Sequence, residues 1–204
     1  MTNHQAVFSS QLLQVFLGII QEEVGEQNLP VVLEKTGLPR SWANAESLPN
    51  LGAQAAAESY AGLQKAIRSY YGRSARGILQ RIGSHFFKKL LENASFKVKA
   101  QSKLLRGLPQ TRRRKAALDM LISLLDVEPD GMSAHTLDLN LILVDNISPS
   151  TYHQRGDEPI CHVTQGLIRE AIYWATRENV QIEETSCRAM SEKNCEFKIV
   201  VGEN

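Results

Sequence analysis

Glu183-Glu184-Thr185-Ser186-Cys187-Arg188-Ala189-Met190, then Ser191-Glu192-Lys193-Asn194, then Cys195-Glu196-Phe197-Lys198-Ile199-Val200-Val201 is the stretch that decides the fold class. Its two outer parts read as strands and its four middle residues as the turn that joins them, an antiparallel hairpin. Working outward, His135 to Val144 also has period two, with Leu137, Leu139, Leu141 and Leu143 alternating against Asp138, Asn140 and Ile142. That alternation predicts one half-buried strand. Between these strands, Cys161 to Arg177 carries Val163, Leu167, Ile168, Ile172 and Trp174 at helical spacing. Everything upstream is helical in period. The class that follows is α+β: N-terminal helices packed on a small antiparallel sheet with a helix crossing it.

The helical part is punctuated by turn residues. Leu12, Leu13, Phe16, Ile19, Ile20 and Val24 predict a helix over Ser9 to Gly25, and Pro30 to Thr36 a shorter one stopped by Gly37. Ala53 to Tyr71 is helical, and the periodicity resumes from Ile78 to Leu91 past Gly72, Gly77 and Gly83. Lys97 to Gln110, the most basic and least periodic piece, is read as a loop, and Thr111 to Leu125 as a helix ended near Pro129-Asp130-Gly131. Residues 1–60 form an N-terminal helical region and residues 61–204 a ligand-binding domain, expected to fold as one compact unit.

Composition narrows the function classes. The 204 residues are 43% hydrophobic and 22% charged, ordinary for a globular chain that needs no disulfide staple. The longest apolar run, Val15 to Ile20, is far short of a bilayer span, and no secretory signal is recognisable, so a cytoplasmic location is expected. The net charge of +1 hides a polarised chain: residues 65–115 hold 15 lysines and arginines against a single acid, Glu92, leaving eight bases and 21 acids elsewhere. Either the two parts pair within the fold, or the basic part faces an acidic protein partner or an anionic membrane surface. Phosphate contacts from Arg112-Arg113-Arg114-Lys115 are the nucleic-acid alternative, disfavoured because no helix-turn-helix accompanies them.

All three cysteines fall in the last 44 residues, Cys161 at a helix start and Cys187 and Cys195 on the hairpin arms. An odd count in a reducing compartment leaves metal ligation or plain burial. Seven residues separate Cys187 from Cys195, so the thiols can meet across the ladder, and Glu184 reaches them if the backbone bends locally. Three thiolates and a carboxylate suit a closed tetrahedral zinc site.

The segments Pro159-Ile160-Cys161-His162-Val163-Thr164-Gln165-Gly166-Leu167, Glu184 to Met190 and Cys195-Glu196-Phe197 resemble the 4-vinyl reductase domain, and Tyr71 to Leu79 resembles that family's upstream helix. The family includes bacteriochlorophyll-biosynthesis proteins, sensor domains of phenol-responsive activators and hydrocarbon-binding proteins, and is related to vesicle-tethering-complex subunits. The resemblance implies an α+β fold that dimerises. It also implies zinc held by Cys161, Glu184, Cys187 and Cys195, which match the aromatic-sensing members residue by residue. One departure is Ser191, where the family has a glycine suited to positive φ.

No nucleophile elbow, P-loop or dinucleotide fingerprint is present in the sequence, so an enzymatic reading has nothing to rest on. The resemblance then implies a zinc-stabilised carrier or binding protein for a hydrophobic or tetrapyrrole-like small molecule, with pigment handling or photosystem biogenesis as its setting. Its organic ligand is expected to meet Tyr71, Arg73, Arg76, Ile82, Phe86 and Trp174, with Tyr70, Ile78, Phe87, Leu141, Leu143 and Tyr173 beside them and Arg81 as a further cation. His85, His153 and His162 are placed near the ligand or the metal. The alternative is a dimeric assembly protein that binds an acidic partner or anionic membrane surface through its basic stretch.

Overall fold

The computed structural model describes residues 8–44, 47–105, 107–127, 130–138 and 140–200, the side chain of Lys97 excepted; Leu139, Pro129 and Val201 of the sequence reading lie outside these residues. Ser9 starts the first helix because its hydroxyl accepts a hydrogen bond from Leu12 N at 3.1 Å, satisfying a donor the helix itself leaves free. Helix α1 (Ser10–Val24) buries Leu13, Phe16, Ile20 and Val24 along one stripe and stops at Gly25, φ 87°. Then come α2 (Leu29–Lys35), α3 (Ala53–Tyr71), α4 (Ala75–Asn93), α5 (Phe96–Leu105), α6 (Gln110–Leu124) and, inserted within the sheet's sequence, α7 (His162–Thr176). Strands β1 (Met132–Leu137), β2 (Asn140–Asp145), β3 (Gln181–Ser186) and β4 (Cys195–Val200) pair in the order β1-β2-β4-β3, antiparallel throughout. The α+β class expected from the sequence is the one observed.

Three element readings are corrected. His135 to Val144 is two strands, not one: Leu137 pairs with Asn140 across a two-residue turn in which Asp138 takes φ 53°. A two-residue turn leaves the alternation unbroken, and Asp is among the few residues that tolerate the left-handed region. The expected loop over 97–110 contains α5. Its Val98 and Leu105 pack on the core and Ser102 is buried, while the other faces are solvated, so one narrow stripe was too weak a periodic signal. The strand read as Glu183 to Met190 ends at Ser186, and Arg188–Met190 is a 3-10 turn closed by Ser191 at φ 70°.

A single hydrophobic core runs from Phe8 to Ile199. Leu141 and Leu143 of β2, Ile182 of β3 and Phe197 and Ile199 of β4 are its sheet face, alternating with more exposed neighbours. Helix α7 contacts both β3 and α4. Where α4 and α7 cross, the backbones touch: a Cβ on Gly83 would lie 2.1 Å from Val163 O, and one on Gly166 2.1 Å from Gln80 O. Gln80 Nε2 donates to Gln165 Oε1 at 2.8 Å, and Ser84 Oγ donates to Gly166 O at 3.3 Å, along the edge of that crossing.

Much of the basic stretch is paired within the fold. Arg81 Nε meets Glu23 at 2.6 Å, Lys88 meets Glu170 at 3.3 Å, and Arg114 makes a two-pronged bond to Glu178 at 2.8 and 2.9 Å. Lys115 bonds Asp119 at 2.8 Å, and Arg113 donates to Leu108 O at 2.8 Å. Three of the four residues of the Arg112 to Lys115 run are therefore committed to protein partners, which removes most of the expected phosphate-contacting surface.

Candidate metal centre

Period two in β3 puts Ile182 and Glu184 on the buried face, so a carboxylate stands where an apolar side chain is usual. Glu184 pairs with Phe197 and Ser186 with Glu196, which leaves Thr185 as an extra residue in β3. This bulge reverses the parity of the strand. Without it the residue after Ser186 would point outward; with it Cys187 is fully buried, as are Cys195 at the start of β4 and Cys161 at the N-cap of α7. The local bending that Glu184 needed is this bulge.

One oxygen of Glu184 and the three sulfurs lie within 4.8 Å of one another. Cys161 Sγ and Cys195 Sγ are 3.6 Å apart, too far for a disulfide, whereas two thiolates on a tetrahedral zinc at about 2.3 Å stand about 3.8 Å apart. Cys161 N donates to Glu184 Oε2 at 3.0 Å, while Glu184 Oε1 is buried without a partner. Arg188 N donates to Cys195 Sγ at 3.3 Å, and Ser148 Oγ lies 3.6 Å from Cys161 Sγ. The donor set, its burial and the orphaned oxygen fit a closed four-ligand metal site, with no position left over for a reacting water.

Four acids in one dry pocket cannot all ionise unaided. Hydrogen bonds from Cys161 and then Cys195 hold the Cys187 thiol far below the ordinary thiol range. The same bond to Cys187, with a second to Cys195 and burial, drives Cys161 well up. Cys195 gains from Cys161, but its bond to Cys187 and its burial together raise it. Burial pushes the Glu184 carboxyl to about 8. A divalent cation resolves this repulsion by replacing the shared protons.

Polar groups surround the cluster on the core side. Gln64 Nε2 donates to Ser150 Oγ at 3.1 Å, and Asp145 Oδ1 accepts from Ile147 N at 3.2 Å. Asp145 Oδ2 has no partner, and burial pushes the Asp145 carboxyl up to about 6. Arg68, from α3, is partly buried; burial lowers its pKa, while the nearby Cys161, Cys187, Glu158 and Glu184 favour its charge. The sequence reading missed Asp145 and Arg68. A signal existed for the second, because Tyr60, Gln64 and Arg68 recur every four residues and place a polar stripe on the buried face of α3.

The residues expected around an organic ligand do not converge. Arg73 and Arg76 line a cleft of about 730 Å³ with Arg68, His162 and Glu184. Ile82 and Phe86 are fully buried core, Phe86 lying 5.6 Å ring to ring from Phe16. Tyr71 and Trp174 are partly buried, Trp174 6.3 Å from the Phe87 ring and Tyr71 4.8 Å from that of Tyr70. Phe87, Leu141 and Leu143 are buried and Ile78 partly so, whereas Tyr70 and Tyr173 are exposed. Arg81 is taken by Glu23. Of the histidines, His162 adjoins the cluster and the cleft, His153 lines a different cleft of about 660 Å³ beside α2 and α3, and His85 is half-buried in α4.

Residues 144–201 match the 4-vinyl reductase domain family, and no curated protein matches the chain. In fold the chain is similar to the Fe(II) unliganded H-NOX protein from K. algicida, at TM-score 0.58 and 13% identity over 97% of this chain and 98% of that one. It is similar to the H-NOX protein from S. oneidensis in the Fe(II)NO ligation state, at TM-score 0.54 and 14% identity over 93% and 99%. The phenol-responsive sensory domain of the transcription activator PoxR, solved with phenol, superposes at TM-score 0.51 and 14% identity over 69% and 72%. The stretch that matches the 4-vinyl reductase domain in sequence therefore holds Cys161, Glu184, Cys187 and Cys195, on a fold shared along nearly the whole chain with H-NOX proteins.

Proposed function

We propose that this chain is a non-enzymatic, zinc-stabilised domain that binds or carries a hydrophobic or amphiphilic small molecule. The observation that carries the reading is the buried cluster of Cys161, Glu184, Cys187 and Cys195. The match to the 4-vinyl reductase domain and the likeness to sensory proteins, one of them solved with phenol, support the small-molecule half. Zinc would be structural: it ties the N-terminus of α7 to the β3–β4 hairpin and supplies positive charge among four acids. Arg73 and Arg76 offer their charge to a ligand in the cleft on one side of that wall. In this reading residues 61–204 are the binding unit, the helices of residues 1–60 complete its core, and the chain works in the cytoplasm as a homodimer.

Pigment handling is the finer form of the proposal. One of the similar H-NOX structures addresses heme distortion, but in this chain the crossing of α4 and α7 at Gly83 and Gly166 has no room for a planar macrocycle beside Ile82 and Phe86. A tetrapyrrole would have to occupy a cleft at the surface. Elemental analysis and an absorption spectrum of protein purified from its native host, beside Cys187→Ser, test both parts. One zinc per chain, lost in the variant, supports the centre; an extractable chromophore makes the ligand a pigment. Absence of any metal from freshly prepared, unchelated protein overturns the reading.

One observation favours the assembly alternative. On α5, Phe96 is 88% and Leu104 75% exposed, and Lys99 and Lys103 are exposed beside them. An apolar ridge flanked by lysines suits anionic lipid or an acidic partner. Among the described residues no helix is long and apolar enough to cross a membrane. Sedimentation with anionic vesicles, abolished by Phe96→Ser with Leu104→Ser, would support this alternative.

A further inference from the structure

The five buried side-chain atoms without a partner among the described residues are not scattered. Three of them, Arg68 Nη1, His162 Nδ1 and Glu184 Oε1, belong to residues that line the 730 Å³ cleft. Glu184 is accounted for by the metal centre. The other two are nitrogens, and a buried nitrogen left without a partner costs on the order of 1–3 kcal/mol. Something in that cleft is expected to complete them.

The elements that build the cleft are the C-terminal end of α3, the turn at Gly72, the start of α4, the start of α7 and β3. Gly72 takes φ 53°, a conformation natural to glycine, and the chain reverses there so that Arg68 on one helix and Arg73 and Arg76 after the turn line one space. Arg68 also serves the cluster, whose acids favour its charge, and Arg68 Nη2 reaches Gln154 Oε1 at 3.5 Å. Its Nη1 has no such use. Arg73 and Arg76 are exposed at the mouth. Glu158 and Glu183 also line the cleft and are exposed, so the guanidinium groups outnumber the carboxylates that the metal centre does not claim by three to two.

We propose that this cleft binds the oxyanion of a small molecule, a carboxylate or a phosphate, with Arg68 Nη1 and His162 Nδ1 holding it inside and Arg73 and Arg76 at the mouth. This rests on the small-molecule reading above and names the chemistry of the molecule's polar end. Guanidinium forks match both oxyanions in geometry, so the class is set by charge and planarity, not by the rest of the ligand. Glu158 competes for the same cations and tunes the site.

The test is a ¹H–¹⁵N correlation titration of the zinc-loaded full chain with inorganic phosphate and, separately, with benzoate and acetate. Saturable shifts are expected at Arg68, Arg73, Arg76, His162 and Gln165. Arg73→Glu with Arg76→Glu should weaken binding about tenfold or more, since charge-assisted bonds are lost. Glu158→Gln should strengthen it. Arg112→Glu, on α6 and outside the cleft, makes the same kind of charge change and should leave binding unaltered. Benzoate much tighter than acetate and phosphate identifies a carboxylate on an apolar body; phosphate tightest identifies a phosphorylated ligand. No saturable shift with any of the three, or an equal loss in Arg112→Glu, overturns the proposal. Zinc content measured on the same samples keeps the two readings apart: zinc and a neutral extractable ligand with no anion binding leaves the carrier standing and removes the oxyanion site.

Discussion

Helix α7 is gripped at two places about a turn and a half apart, by different physics. At its N-cap, Cys161 enters a cluster of four acids that repel one another unless a cation joins them. At Gly166 it lies against Gly83 of α4 with no side chain between the backbones. The second contact is shape alone and holds at any pH and without any ion; the first is conditional on what is bound. Close packing therefore places the helix, while the cluster reports on the metal. The two contacts should respond to opposite perturbations.

The largest effect is expected from the conditional grip. With zinc at about a thousand times its dissociation constant, the wild type should gain about 4 kcal/mol over the metal-free protein, and Cys187→Ser should lose nearly all of that gain. In chelator the variant should melt close to the wild type, because only the metal makes the thiol stabilising. Thermal melts with zinc and with chelator measure this, and a variant equally damaged in both would erase the contrast. Next comes the unconditional grip. Gly83→Ala forces α4 and α7 apart and should cost about 3 kcal/mol, by the same amount with zinc and without, read from urea denaturation.

Asp145 probes the same contrast from below the cluster. Its carboxyl, near 6 in the fold, lies above the roughly 3.9 of an unfolded chain. The native state thus holds the extra proton, and this group's stabilising share is complete below about pH 4 and lost as pH rises through 6. In metal-free protein the loss should approach about 3 kcal/mol by pH 8. Asp145→Asn should flatten that slope and melt higher than wild type at pH 8, whereas Gly83→Ala should leave the slope unchanged. The smallest effect belongs to Ser191. At φ 70°, Ser191→Gly should relieve strain and stabilise by about 0.5 kcal/mol, with zinc affinity, followed by competition with a chromogenic chelator, changing less than twofold.

The hairpin near the C-terminus, the spacing of Cys161, Glu184, Cys187 and Cys195, and most helix boundaries were legible because each rests on local rules. Alternation, apolar stripes, and glycine and proline stops act within a few residues. Asp138 shows where this ends: its turn hides inside an alternation that a two-residue loop does not interrupt. Helix α5 was missed because the part of it that faces the core is too narrow to show as a period. The organic-ligand set failed for a different reason. Phe86 and Ile82 are apolar at helical spacing whether they face a ligand or the core, and only packing distinguishes the two.

Local pattern was enough to establish the class of the fold, the identity of four potential metal donors and the concentration of positive charge between residues 65 and 115. What those features meet depends on how distant segments pack. The bulge at Thr185 turns Cys187 inward, Glu178 and Glu23 claim Arg114 and Arg81, and Arg73 and Arg76 are left beside Arg68 on one cleft. Gly83 states the division most simply. In sequence it is a residue that weakens a helix; in the fold it is the place where α7 comes close enough to touch, because non-local contact, unlike local propensity, is written in two segments about eighty residues apart.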